Sequence, residues 1–192
     1  DLVSEAPTSW LDLTDASTKG ETIMPSPLYS GAAAYNLGIF TRTDCIGWDY
    51  YENLKANGVT VGQGNGSALK GIQAGDQSYA IIVDYLVNNA IKDGSPLAIV
   101  YPEEGVPVIT EPIALMKESD NEEAAKAFID FVLSKEGQEL AASLGYAPIR
   151  SDVDAPEGLK GVDELTVLGA DVSELYQTRE TDKDQFKTMF GE

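Results

Sequence analysis

Ser30-Gly31-Ala32 is the point where residue types and spacing in this chain come closest to chemistry. The stretch Met24-Pro25-Ser26-Pro27-Leu28-Tyr29 leaves an apolar strand, passes two prolines, and runs through Ser30-Gly31 into the helix-forming residues Ala32-Ala33-Ala34-Tyr35. Ser30 suits an N-cap, and Gly31 lets a ligand approach the backbone closely. First-turn amides at the positive end of the helix dipole favour an anionic oxygen. That chemistry is binding rather than bond-making. The segment alone also fits an ordinary capped helix, so the rest of the chain has to decide.

Two further loops carry polar groups at comparable places. Gly62-Gln63-Gly64-Asn65-Gly66-Ser67 follows a short strand and opens a helix, yet it lacks both a Lys-Ser/Thr after the last glycine and the G-x-G-x-x-G register of nucleotide loops. Asn65 and the loop amides therefore read either as ligand contacts or as plain turn chemistry. Asp84-Tyr85 follows the apolar run Tyr79-Ala80-Ile81-Ile82-Val83, at the carboxyl end where α/β sheets place ligands. Asp84 reads equally as a cap for the helix that continues through Leu86 to Ile91. Adjacent Tyr50 and Tyr51 point about 100° apart on a helix and do not share one ion; Tyr51 is expected in the core and Tyr50 on the surface.

Composition removes whole classes of function. A formal charge of -19, from 13 Lys and Arg against 32 Asp and Glu, repels polyanions and excludes nucleic acid as a partner. The absence of histidine removes the usual imidazole base, His-containing triads and most zinc sites. An enzyme using Asp84 and Tyr85 as acid and base lacks a second partner at recognisable spacing, so no catalytic residue and no cofactor are expected. The single Cys45 permits no intrachain disulfide and is expected to be small, apolar and partly buried. No apolar run reaches the ~20 residues needed to span a bilayer, and Asp1-Leu2-Val3-Ser4 has no basic n-region. The chain therefore reads as cytosolic or as a piece of a processed protein.

With 43% apolar residues in 192, the chain can bury a substantial core as one domain or two small lobes. Periodicity predicts helices from Ser30 to about Phe40, around Trp48, Tyr51 and Leu54 with a stop at Asn57-Gly58, through Leu69 and Ile72 to Gly75, and from Asp84 to Ile91. Strands are expected at Ile23-Met24, Val59 to Val61, Tyr79 to Val83 and Leu97 to Tyr101, giving an α/β layer structure. Pro102-Glu103-Glu104-Gly105-Val106-Pro107 reads as a connection between lobes. Beyond it a strand from Pro112 to Met116 is expected. Ser119-Asp120-Asn121-Glu122 has the spacing of a capping box, and the helix it opens carries Phe128, Ile129, Val132 and Leu133 on one side. Further helices are expected from Lys135 to Leu144 and near Gln185 to Phe190.

The ordered blocks Ser9-Trp10-Leu11-Asp12-Leu13, Lys19-Gly20-Glu21-Thr22-Ile23-Met24-Pro25 and Ser30-Gly31 resemble the central part of iron/organophosphate-type substrate-binding proteins of ABC importers. So do Tyr101-Pro102-Glu103-Glu104-Gly105, Glu111-Pro112-Ile113-Ala114, the long block from Ala124 to Gln138, and Gly145-Tyr146-Ala147-Pro148-Ile149-Arg150. The resemblance covers about residues 5 to 152. It implies a periplasmic-binding-protein-like (type II) lobe, three-layer αβα, with part of the second lobe. Residues 1–108 would form the ligand-binding lobe with an incoming hinge segment. Residues 109–152 would form the hinge return with a strand and two helices of the other lobe, and 153–192 would return to the first of these. It also implies that most of that other lobe, and the signal segment, lie outside this chain.

The implied function is delivery of a small anionic solute to ABC permease membrane subunits, from the periplasm or from a lipid anchor at the cell surface. A ligand-sensing module of a receptor or regulator is the alternative. The family's anion loop falls on Ser30, Gly31 and Ala32. Where ferric-ion members carry adjacent tyrosines, this chain reads Asp84-Tyr85-Leu86, leaving Tyr85 as the only candidate metal ligand. A hard trivalent cation wants several anionic oxygens, which shifts the expectation from bare iron to a phosphorylated or phosphonate organic solute, with chelated ferric iron as the other choice. An apolar face around Phe128 with its natural cover missing is expected to drive self-association.

Overall fold

Why this chain builds a sheet at all follows from Thr22–Pro25, a short run buried along its whole length. The computed structural model, which describes Val3 and residues 5–191, makes this run β1, the central strand of a parallel sheet. On one side β1 pairs with β2 (Thr60–Gly62), and on the other with β3 (Tyr79–Ala80); Ile23 lies opposite both Thr60 and Ala80. Only the middle strand needs to be apolar on both faces. That accounts for the unbroken burial of Thr22 to Pro27 and for the half-exposure of Tyr79 and Ala80.

Helices follow the strands in order: α1 (Gly31–Phe40) and α2 (Gly47–Ala56) after β1, α3 (Asn65–Ala74) after β2, and α4 (Asp84–Lys92) after β3. Each stop has a local cause. Gly75 takes a left-handed conformation (φ 76°) that closes α3, and the Asn57 amide returns to Asn53 O at the end of α2. The core joins Leu37, Ile39 and Phe40 of α1, Tyr50, Tyr51 and Leu54 of α2, Met24, Ile81 and Leu13. Trp10 meets Phe40 edge-on with centroids 4.8 Å apart.

The chain forms two compact units. One holds the described residues up to Val108 together with those from Leu165, and the other holds Ile109–Glu164. In the first, β4 (Val106–Pro107) pairs in parallel with β5 (Val167–Leu168). The crossing is tight: a Cβ on Gly105, whose φ is +108°, would lie 2.5 Å from Thr166 O. The long α7 (Val172–Phe190) starts at Asp171, whose Oδ1 accepts from Glu174 N at 2.9 Å, and sends Phe186 into the core. Phe186 stacks on Phe190 at 4.4 Å and meets Tyr51 edge-on.

In the second unit α5 (Glu122–Leu133) and α6 (Lys135–Ser143) meet at Ser134, which ends one helix and caps the next by accepting from Gly137 N. Gly137 is required there, since a Cβ would fall 2.0 Å from Phe131 O. Buried Gln138 donates to Val132 O and accepts from Ile149 N, both at 2.8 Å. None of the buried core hydrophobics belongs to this unit. Met116, Phe128 and Ile149 are 78%, 61% and 75% exposed.

Several sequence expectations fail for identifiable reasons. Tyr50 is buried, not on the surface, because its ring packs edge-on against Phe40 of α1 and the turn Leu11–Thr14 lies against α2. Cys45 is exposed rather than partly buried. The expected strand from Tyr79 to Val83 forms a ladder only at Tyr79–Ala80, on the sheet edge, and Leu97 to Tyr101 and Pro112 to Met116 form no strand. An apolar run becomes a strand only where a neighbouring strand offers its edge. The Ser119–Glu122 capping box does not form either: Ser119 Oγ accepts from Asn121 N, and α5 begins two residues later than expected, at Glu122 with Asn121 as its cap. The final helix begins at Val172, well before Gln185.

Burial, then Tyr51 and Glu104 nearby, push the Tyr50 phenol well above its ordinary value, and burial does the same to Tyr51. An unfolded chain releases these protons at lower pH than the folded one. The stability they carry is therefore intact below the ordinary tyrosine value of about 10 and is lost as pH rises through it towards the folded values. We expect both phenols to ionise only as the protein unfolds, seen as phenolate absorbance rising together with loss of circular dichroism. A Tyr50→Phe, Tyr51→Phe double variant should unfold at higher pH, and an unchanged alkaline midpoint would contradict this account.

Candidate functional site

Parallel pairing makes β1, β2 and β3 end on the same side, so the loops after them meet. Those loops carry the N-termini of α1, α3 and α4. One side chain ties them together. Asn65, the first residue of α3, donates from Nδ2 to Ser30 Oγ at 3.3 Å and accepts at Oδ1 from Val83 N at 3.2 Å. The sequence offers ligand contact or plain turn chemistry for Asn65; the structure adds a third role, a tie between loops 35 and 18 residues away.

Ser30 is the N-cap of α1, as its sequence context predicts, and its Oγ accepts from Ala33 N at 3.2 Å. With Asn65 as second donor, both lone pairs of the hydroxyl are engaged and its proton remains available to an incoming acceptor. The amides of Gly31 and Ala32 have no intrahelical acceptor, being in the first turn of the helix. Gly31 is exposed, and a Cβ there would meet nothing within 4 Å. The space above the α1 N-terminus is thus open to a solute. Gly66, in the first turn of α3, is open in the same sense.

Asp84 is the first residue of α4 and does not cap it; Val83 holds the cap position and has no side-chain bond there. The Asp84 carboxylate instead accepts from Tyr101 OH at 3.2 Å through Oδ2. Tyr85 follows in the same turn, partly exposed. Val83 N and Tyr101 were not singled out from the sequence as site groups. No local pattern marks them, because a backbone amide has no residue signature and Tyr101 arrives from a segment without regular structure. Among the described residues, no group of three or more Asp, Glu, His or Cys is placed to hold a metal ion, and no helix is long and apolar enough to cross a membrane.

A parallel α/β unit with helix N-termini gathered at one end of its sheet is the architecture of periplasmic binding proteins. Residues 2–172 match the family of bacterial extracellular solute-binding proteins, and the chain belongs to that family. Its fold is that of the periplasmic binding protein AfuA from Actinobacillus pleuropneumoniae, solved with exogenous fructose-6-phosphate bound. The TM-score is 0.86 at 23% identity, covering 98% of this chain and 61% of that one. Iron-bound HitA from Pseudomonas aeruginosa matches with a TM-score of 0.75 at 24% identity, over 95% of this chain and 62% of that one. A Salmonella typhimurium protein provisionally described as a 2-aminoethylphosphonate-binding periplasmic protein is 28% identical over 210 residues, 94% of this chain and 61% of its own length. This chain spans about half the length of the curated relatives it matches.

Replacing Asn65 by Ala removes both bonds of the tie and leaves Val83 N without its acceptor in a partly buried place. The expected loss is about 1–3 kcal/mol of unfolding free energy, read from urea denaturation. A loss near zero would show that the loops hold their places without Asn65.

Proposed function

We propose that this chain is part of a substrate-binding protein that takes up a small anionic solute at the α1 N-terminus and hands it to the membrane subunits of an ABC importer. The observation that carries this reading is the set of outward donors at Ser30 Oγ, Gly31 N and Ala32 N, joined through Asn65 to the start of α4. Ser30, Gly31, Ala32, Asn65, Asp84 and Tyr85 are the proposed binding residues. The amides suit a phosphate or phosphonate group. The Asp84 carboxylate suits a hydroxyl or ammonium group on the same solute. Both features fit a phosphorylated or phosphonate organic compound better than a bare ferric ion: Leu86 leaves Tyr85 without an adjacent phenol in sequence, and the Tyr101 hydroxyl donates to Asp84. The proposed location is extracytoplasmic, in the periplasm or at a lipid anchor. Membership of a solute-binding family favours transport over the ligand-sensing alternative and over catalysis.

Inorganic phosphate titrated into the isotope-labelled protein should shift the amide resonances of Gly31 and Ala32 first. Gly31→Val should abolish the shift while unfolding at nearly the wild-type urea concentration, because its side chain enters open space. Phosphate shifts confined to other residues would sink the assignment. Titration with ferric nitrilotriacetate should give no tyrosinate charge-transfer band, and a strong band lost in Tyr85→Phe would reverse the choice of solute.

The apolar side chains left open on the second unit are Met116, Phe128, Phe131, Leu133 and Ile149; full burial of an exposed one gives roughly 1.5–3 kcal/mol, and less for Phe131 and Leu133, which are already more than half covered. In solution this chain is proposed to cover them with a second copy. Light scattering coupled to size-exclusion chromatography should give a mass that rises with concentration. A constant monomer mass at high concentration would rule this out.

A further inference from the structure

The helix that presents the proposed anion-binding amides is held at its far end. In α1 the last four residues, Leu37, Gly38, Ile39 and Phe40, are all buried, whereas Gly31 is exposed and Ala32 and Ala33 are only half-covered. Ten residues at 1.5 Å each make a lever about 15 Å long, so a tilt of about 5° at the anchor displaces the first-turn amides by about 1.3 Å. Hydrogen bonds to a solute oxygen span a range of only about 0.5 Å. The near end is held at Ser30, by Asn65 and by its own amide on Ser26 O, so the aim of the first-turn amides is set by these ties together with whatever fixes the buried end of α1.

Arg42, two residues past α1, is placed to do this. Its Nη1 donates to Gly38 O at 2.9 Å and to Thr41 Oγ1 at 3.1 Å, gripping the last turn of the helix. The rest of the guanidinium faces α7. Nε donates to Glu174 at 2.9 Å, Nη1 to Asp182 Oδ2 at 2.9 Å, and Nη2 to Thr178 Oγ1 and Asp182 Oδ1. Arg42 and Asp182 are mostly buried, with side chains 18% and 12% exposed. The helices also touch closely at Gly38, where a Cβ would lie 2.8 Å from Leu175 Cδ2.

We propose that Arg42 is a positioning residue for solute binding: it locks α1 to α7, so that a helix more than 130 residues away in sequence sets the aim of the Gly31 and Ala32 amides. This rests on the anion site proposed above. Lysine does not replace it, since a single ammonium lacks the planar fork that reaches the α1 carbonyl, Glu174 and Asp182 together.

The test compares phosphate affinity with stability in the whole chain, read from the Gly31 and Ala32 amide shifts and from urea unfolding. Arg42→Lys and Asp182→Asn should each weaken phosphate about tenfold in fully folded protein, as expected for losing one charge-assisted hydrogen bond, and the double variant should weaken it no further. Gln138→Ala, which breaks two hydrogen bonds inside the other compact unit, should lower the stability of that unit and leave phosphate affinity as it was. Thr178→Ala, which removes an uncharged hydroxyl from the network, is the mild variant should the charged ones fold poorly, with a two- to threefold loss expected. Arg42→Lys and Thr178→Ala binding phosphate as tightly as wild type would overturn the coupling alone. A wild-type protein whose Gly31 and Ala32 amides ignore phosphate would overturn the site itself, and the coupling with it.

Discussion

Parallel pairing of β1 with both of its neighbours is the constraint on which the rest of this molecule depends. Strands that run the same way must each be left at the same end, and each departure must climb back through a covering segment before the next strand begins. Here this puts Ser30, Asn65 and Val83 at one end of the sheet although they are separated by 35 and 18 residues along the chain. The hydrogen bonds of Asn65 then convert proximity into a fixed arrangement. The proposed anion site requires no basic side chain. Its anion-favouring character comes from backbone dipoles aimed the same way, which an acidic protein of net charge -19 can supply without altering its surface.

The same sheet explains why so much of the first unit is apolar and shared. β1 is covered on both faces, so the residues that leave it are committed to the core before α1 begins. Tyr50 and Tyr51 then pack side by side rather than dividing between core and surface: Phe40 of α1 meets the Tyr50 ring, and Phe186 of the returning α7 meets that of Tyr51. Lys55 Nζ donating to Met189 O adds a polar tie at the far end of that contact. A hydroxyl as buried as that of Tyr50, with no hydrogen-bond partner among the described residues, shows how far aromatic packing outweighs polar satisfaction at this place.

The second unit is organised differently. Its local rules are satisfied: Ser134 serves two helices, Gly137 lets them approach, and Gln138 satisfies backbone groups on both sides of the corner. What it lacks is a face to bury. α5 has no fully buried residue; Ile129 and Val132 are half-covered, and Phe128, Phe131 and Leu133 are exposed. Capping and periodicity alone are enough to specify a helix pair, but the hydrophobic term that normally dominates folding is left unsatisfied there.

Features with local causes can be read directly along the chain. Ser30 before a small-residue run was bound to cap α1, Gly75 to close α3, and the apolar spacing of Trp48, Tyr51 and Leu54 to turn one side of α2 inward. The blocks from Ser9 to Arg150 likewise pointed to the solute-binding family that the chain belongs to. Tertiary structure alone decided what depends on a neighbour. Leu97 to Tyr101 and Pro112 to Met116 have strand-like composition and find no edge to pair with, while Val167–Leu168, two residues in a weakly patterned tail, pair with β4 because the fold brings them there. Asn65 was legible as a loop residue but not as the tie to Ser30 and Val83, and Arg42 carried no mark at all. Hydrogen bonds between residues far apart in the chain leave no local period or spacing to read; they exist only once the sheet has fixed which ends meet.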